Sequence, residues 1–132
     1  KQAAIGGADV RLMLPFKSDS WIVGATSRFY IPELVKSGIR VFLYKKGFVH
    51  AKTVVADTCL SVVGTANMDI RSFDLNFEIM SVIYGHKFAV QLEQAFLDDL
   101  QECHEILVEE LKKTGITTKL TYAIARLISS FL

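Results

Sequence analysis

The chain has 132 residues, 51 % of them hydrophobic and 22 % charged, with a formal net charge of +1. That much apolar material excludes a disordered chain, and the length suits one compact domain. A charge so near zero excludes a global field for drawing in nucleic acid, so any anion must be recognised locally.

The chain starts at Lys1, not Met, and Gln2 to Ile5 before Gly6-Gly7 reads as the frayed end of a helix with a glycine stop. The chain is therefore expected to be cut from something longer. Val10 to Leu14 is a short, largely buried strand ending at Pro15. Ser18-Asp19-Ser20 offers N-caps for a helical stretch from about Trp21 to Tyr30. Pro32 suits the first turn of another short helix, which Gly38 closes.

Ile39 to Tyr44 is a second strand, rich in β-formers. Helix between two strands makes a βαβ unit, so this pair is expected to be parallel. Three more strand-like runs follow, Val49 to Ala56, Cys59 to Val63 and Asn76 to Ile83, the first two joined by a tight turn at Asp57-Thr58. After Gly85, apolar residues at Phe88, Leu92, Phe96, Leu100, Cys103 and Leu107 recur at intervals of three and four and predict an amphipathic helix from His86 to about Leu107. A last helical segment, Ile116 to Leu132, follows Gly115.

The fold class is α/β, a mixed β-sheet flanked by helices. Residues 1–107 form the expected catalytic domain and 108–132 a C-terminal amphipathic helical segment. Cys59 and Cys103 lie in apolar runs without C-x-x-C spacing, and are expected as reduced, buried thiols. No uncharged apolar run approaches the ~20 residues of a membrane span, so the chain is expected to be soluble or at most interfacial.

The chemistry gathers in His50-Ala51-Lys52, with Asp57, Gly64-Thr65-Ala66-Asn67 and Asn76-Phe77-Glu78 behind it. Alternate side chains of a strand share a face, so His50 and Lys52 are expected to point the same way. A hairpin at Asp57-Thr58 brings Asn67 back level with His50. If the following strand neighbours His50, Glu78 reaches the imidazole. Lys52 and Asn67, with His50, suit the oxygens of a phosphate ester. His50 serves as nucleophile or proton donor, and Glu78 would fix its tautomer. Asp57, seven residues on, faces away and lies ~23 Å along a straight strand, so it is read as a turn residue.

The spacing H-x-K-x(4)-D of His50, Lys52 and Asp57 resembles the signature of the phospholipase D superfamily. Gly64-Thr65-Ala66-Asn67 is similar to its G-[GST]-x-N element, with Thr65 where serine is common, and Glu78 matches the family's acid that contacts the motif histidine. The run Gly64 to Glu78, with Leu14 to Asp19 and Gly47 to Lys52, resembles the cardiolipin synthase branch. The resemblance implies one half of a two-lobed fold, with His50, Lys52, Asn67 and Glu78 catalytic and His50 as general acid/base opposite a nucleophilic histidine of the other half. It implies no metal and no cofactor. Phosphatidylglycerol would be the substrate, at the cytoplasmic side of the cell membrane within a longer membrane-associated enzyme. The partner would be the missing N-terminal catalytic half, or a second copy as homodimer.

Asp69 and Arg71 are read as tying down the loop after Asn67. His86 and His104 are read as exposed helix residues. The C-terminal stripe of Ile116, Leu120, Ala123, Ile124, Leu127, Ile128 and Phe131, with Lys112, Lys113, Lys119 and Arg126, either packs on the domain or lies on anionic lipid. A phosphodiesterase or nuclease built as a homodimer, or a catalytically silent fragment, are the alternatives. No nucleic acid is expected, because the charge is low.

Overall fold

The computed structural model describes residues 1–18, 20–112, 115, 121–124 and 127, with the backbone alone at 70, 71 and 112. It divides into two compact units, Lys1–Val49 with Glu102–Leu132, and His50–Gln101.

The first unit opens with α1 (Gln2–Ile5), then β1 (Arg11–Pro15), α2 (Trp21–Lys36) and β2 (Arg40–Tyr44). β1 and β2 are parallel, Leu12 opposite Val41 and Leu14 opposite Leu43, which is the expected βαβ unit. The helix between them is continuous. Pro32 sits inside α2 and does not open a second helix. An interior proline removes one hydrogen bond and crowds the carbonyl four residues back. Ile31 beside it is buried in the core with Ile39, Val41 and Leu43, and Leu34 and Val35 pack against the same cluster. That burial carries the helix one further turn.

α2 ends where the glycine stands. Gly38 takes φ +91°, and its N–H donates to the carbonyl of Val35 while that of Ile39 donates to the carbonyl of Leu34. The paired bonds, with Ile39 and Leu34 both in the core cluster, make a Schellman cap.

The expected long helix from His86 to Leu107 is corrected. In the second unit α4 (His86–Leu100) stops early, and in the first unit Cys103–Glu105 forms β6, antiparallel to β2, before α5 (Val108–Lys112). The intervals of three and four continue through Cys103 and Leu107, but a free edge on β2 competes for the same residues. The N–H of Ile106 reaches the carbonyl of Val41 at 2.9 Å, and Arg40 grips Glu105 through two hydrogen bonds of 2.8 and 2.9 Å. His104 is therefore a half-buried strand residue paired with Glu110 at 2.9 Å, not an exposed helix residue.

The second unit is an antiparallel meander, β3 (Thr53–Ala56), β4 (Leu60–Gly64) and β5 (Met80–Tyr84), with the short helix α3 (Ile70–Asp74) between the last two and α4 packed on the sheet. The strands thus form two three-stranded sheets, where the sequence suggested one. His86 is exposed at the start of α4, and its Nδ1–H donates to the carbonyl of Thr58 at 2.9 Å. Both cysteines are free. Cys59 follows the hairpin turn and is exposed, against the expectation of burial, and Cys103 is half-buried. Of the C-terminal segment, residues 121–124 and 127 are helical. Lys113, Lys119, Arg126 and most of the apolar stripe lie outside the described residues.

Candidate active site

The β3–β4 ladder pairs Ala56 with Leu60 and Thr53 with Val63. The turn at Asp57 and Thr58 has φ +50° and +51°, the left-handed pair that short hairpins require, and the Cys59 N–H closes it on the Ala56 carbonyl at 3.1 Å. Asp57 thus occupies the closed end of the hairpin, across the length of β3 from His50.

The open end holds the motif residues. β3 begins only at Thr53, so His50 and Lys52 lie in an irregular lead-in, not in the strand as expected. One bond extends the ladder past the strand, from the Gly64 N–H to the Lys52 carbonyl at 3.1 Å. On the other side the Thr65 N–H donates to the Ile79 carbonyl at 3.0 Å. The segments 50–52, 64–67 and 76–79 therefore meet at one end of the sheet. Continuing this register sets Ala66, not Asn67, level with His50. β5 pairs with β4 and not with β3, so the strand of Glu78 does not neighbour that of His50. One strand intervenes, which separates the two backbones by ~10 Å.

Gly64 is required for this closure. A Cβ there would collide with the Ile79 carbonyl oxygen and the Met80 sulfur, and would lie 2.9 Å from the Met80 Cα. Only glycine lets the end of β4 approach β5 so closely.

The side chains behave differently from one another. His50 is exposed, Lys52 half-buried, Asn67 exposed and Glu78 half-buried. The Lys52 ammonium donates to the His50 carbonyl at 2.8 Å, so it folds back over the motif's own backbone. Glu78 accepts a hydrogen bond from the Thr65 hydroxyl and one of 3.4 Å from the Asn76 amide. The Thr65 oxygen in turn accepts the Ile79 N–H at 3.0 Å. These contacts hold the Glu78 carboxyl below the usual range, Thr65 most strongly, with Ser72 and Asn76 adding to it, against desolvation and the negative charge of Asp69. Glu78 is ionised at neutral pH, an acceptor ready for an N–H.

The loop after Asn67 is held by side chains. The Asn67 N–H donates to the Ser72 hydroxyl at 3.1 Å, and the Ser72 N–H to Asp69 Oδ1 at 2.8 Å. Asp69 thereby caps the first turn of α3, and Ser72 is buried. The Arg71 side chain lies outside the described residues. Gly64, Thr65 and Ser72 are structural members of the site, a role that alternation along one strand does not give them. The signal for Thr65 was present, since it keeps a hydroxyl at that position of the G-[GST]-x-N element. Among the described residues no cluster of three or more His, Cys, Asp or Glu could hold a metal ion.

Comparison with known proteins fits this geometry. The family model described as "Cardiolipin synthase, PLD-like domain" matches residues 1–100. The chain belongs to that family. It is 45 % identical over 130 residues to cardiolipin synthase A of Pseudomonas fluorescens, covering 98 % of this chain and 27 % of that protein. Cardiolipin synthase 2 of Bacillus anthracis is 43 % identical over 132 residues, 100 % of this chain and 26 % of that protein. Cardiolipin synthase of Clostridium perfringens is 42 % identical over 127 residues, 96 % of this chain and 27 % of that protein. The chain thus spans about a quarter of the length of the curated relatives it matches.

Proposed function

We propose that this chain is one catalytic half of a phosphatidyltransferase that makes cardiolipin from two phosphatidylglycerols. The observation that carries the reading is the meeting of 50–52, 64–67 and 76–79 at the open end of one small sheet, through the bonds of Gly64 to Lys52 and Thr65 to Ile79. The segments that meet there carry an imidazole, an ammonium, an amide and an ionised carboxylate, the donor set for a phosphodiester and its proton transfers. Lys52 and Asn67 bind the non-bridging oxygens, Lys52 after leaving the His50 carbonyl. Glu78, anchored by Thr65, would reach past the end of β4 to accept the far N–H of His50 and stabilise its charged form.

In the reaction, a histidine of the partner half attacks phosphorus and the bond to the glycerol oxygen breaks. His50 gives its proton to that departing oxygen. The hydroxyl of a second phosphatidylglycerol then loses its proton to His50, attacks the phosphohistidine and frees the first histidine. One imidazole cannot stand on both sides of phosphorus, so the chain needs the N-terminal half of a longer enzyme or a second copy. The second unit offers exposed apolar surface for such a partner, with Met68, Phe73, Leu75, Phe77, Ile79 and Tyr84 all exposed. The place of action would be the cytoplasmic face of the membrane. Among the described residues no helix is long and apolar enough to cross one.

The test is cardiolipin formation from phosphatidylglycerol in mixed micelles, with mass in solution measured alongside. In the two-half enzyme His50→Ala is expected to lower turnover about 10³-fold, at the scale of a lost general acid and base. The chain alone, as a monomer, is expected to form none. Turnover by a proven monomer that His50→Ala abolishes would defeat the requirement for two halves.

A further inference from the structure

The carboxyl ends of the parallel strands β1 and β2 carry a cavity of about 320 Å³ lined by Phe16, Lys17, Lys45, Gly47 and Phe48. We propose that it is an anion site of the first unit, with none of the motif's side chains in its lining, which takes a phosphate ester: a phospholipid headgroup, or free phosphate. The lipid source rests on the function proposed above. In open α/β sheets, ligands collect beyond the carboxyl ends of parallel strands.

The cavity is fixed in backbone and open in side chain. The Phe16 N–H donates to the Tyr44 carbonyl at 3.0 Å, and the Lys45 N–H to the Glu102 carbonyl at 3.1 Å. Arg28 is bound to the same loop, its Nη2 donating to the Phe16 carbonyl at 2.9 Å while its guanidinium stands 5.8 Å from the Phe16 ring centre. The Lys45 ammonium lies 5.9 Å from that ring. Adjacent lysines part company here. Lys46 is neutralised by Glu102 at 3.2 Å, whereas Lys45 turns to the aromatic ring.

No lining residue is acidic. Among the described residues neither Lys17 nor Lys45 has a carboxylate partner, and Asp19 lies outside them. Gathering Lys45 and Arg28 at one phenyl ring, with Lys17 in the same lining, costs like-charge repulsion that an anion relieves. Phe16 and Phe48 are both exposed. Their rings give the anion an apolar neighbour, and a headgroup joined to its glycerol and acyl roots has that composition.

The experiment uses the whole chain, with inorganic phosphate in one arm and vesicles of phosphatidylglycerol in phosphatidylcholine in the other. Amide signals of Lys45, Gly47 and Phe48 are followed for phosphate, and co-sedimentation for vesicles. Lys17→Ala with Lys45→Ala is expected to weaken vesicle binding about 30-fold, at the scale for two basic residues at an anionic surface. Lys36→Ala with Lys87→Ala removes the same charge elsewhere and is expected to leave it within about 3-fold. Phe48→Ser lowering vesicle binding but not phosphate binding assigns the lipid source. Shifts with phosphate, without preference for phosphatidylglycerol vesicles, assign free phosphate. An equal loss in the control pair overturns the site, as does silence of the three amides in both arms. His50→Ala is expected to bind vesicles normally even if it abolishes turnover. Loss of vesicle binding in His50→Ala would put the lipid at the motif and overturn a separate site.

Discussion

The two units differ in what they bury. The first encloses Ile31, Ile39, Val41 and Leu43, with Leu12, Leu14, Leu34, Val35 and Ile106 packed around them. In the second, the buried residues among those described are Ala89, Ser61 and Ser72. Many of its large apolar side chains are exposed, Phe77 completely so, while Val62, Ile83, Leu92 and Phe96 are half-buried. Yet the second unit holds the whole H-x-K motif and its acid. The first unit is organised around a buried cluster, and the second, which carries the motif, exposes much of its apolar surface.

The largest effect should fall on the core. Leu43 is buried between α2 and the first sheet, and Leu43→Ala removes methyl groups the surroundings cannot replace. A loss of about 3 kcal/mol is expected in denaturant unfolding. Val54 in β3 is exposed, and Val54→Ala is expected to cost under about 0.5 kcal/mol. Equal losses at the two positions would erase the contrast between the units.

Gly64→Ala comes next and acts on the second unit alone. The new methyl group meets backbone at Ile79 and Met80, so β4 and β5 must part at the end where the motif lies. About 2 kcal/mol is expected, with faster hydrogen exchange at the Thr65 amide and unchanged exchange at Arg40 in the first sheet. Unchanged exchange at Thr65 would show that β4 and β5 need not part to admit the methyl group.

The sequence foretold local features better than distant pairings, for a physical reason. Pro15, Gly38 and the runs between them are local signals, and β1, the cap at Gly38 and β2 obey them. The left-handed turn at Asp57-Thr58 was equally local. What failed needed a distant partner to be seen. Cys103–Glu105 is a strand because β2 has a free edge, and Pro32 stays inside α2 because Ile31 is buried beside it. At the site, the motif residues were found by spacing. The strand that intervenes between His50 and Glu78, and the hydroxyls of Thr65 and Ser72, depend on a register that alternation along one strand does not encode.

A smaller effect tests the inside of the second unit. The Ser61 hydroxyl on β4 is fully buried and has no hydrogen-bond partner among the described residues. A buried hydroxyl in that state is destabilising, so Ser61→Ala is expected to raise stability by up to about 1 kcal/mol. A loss of stability would mean that a bridging water satisfies the oxygen.

The smallest effect is a pH dependence read at the site. Glu78 is held below its ordinary value of 4.5, first by the Thr65 hydroxyl and then by Ser72 and Asn76. A carboxyl whose folded pKa is depressed binds protons more readily when unfolded. Its contribution is therefore complete above the unfolded value and is lost as pH falls through the folded one. Neutral and mildly acidic solutions should leave the site intact, and the loss should begin only below pH 4.5. The reporter is the Ile79 amide, which donates to the Thr65 oxygen that itself donates to Glu78. Its protection, corrected for intrinsic exchange, should stay level down to that pH and then fall. In Glu78→Gln the fall should vanish, because the amide cannot titrate. A fall at Ile79 that persists in Glu78→Gln would assign the titration to another acid and remove Glu78 as the anchor of this end of the sheet.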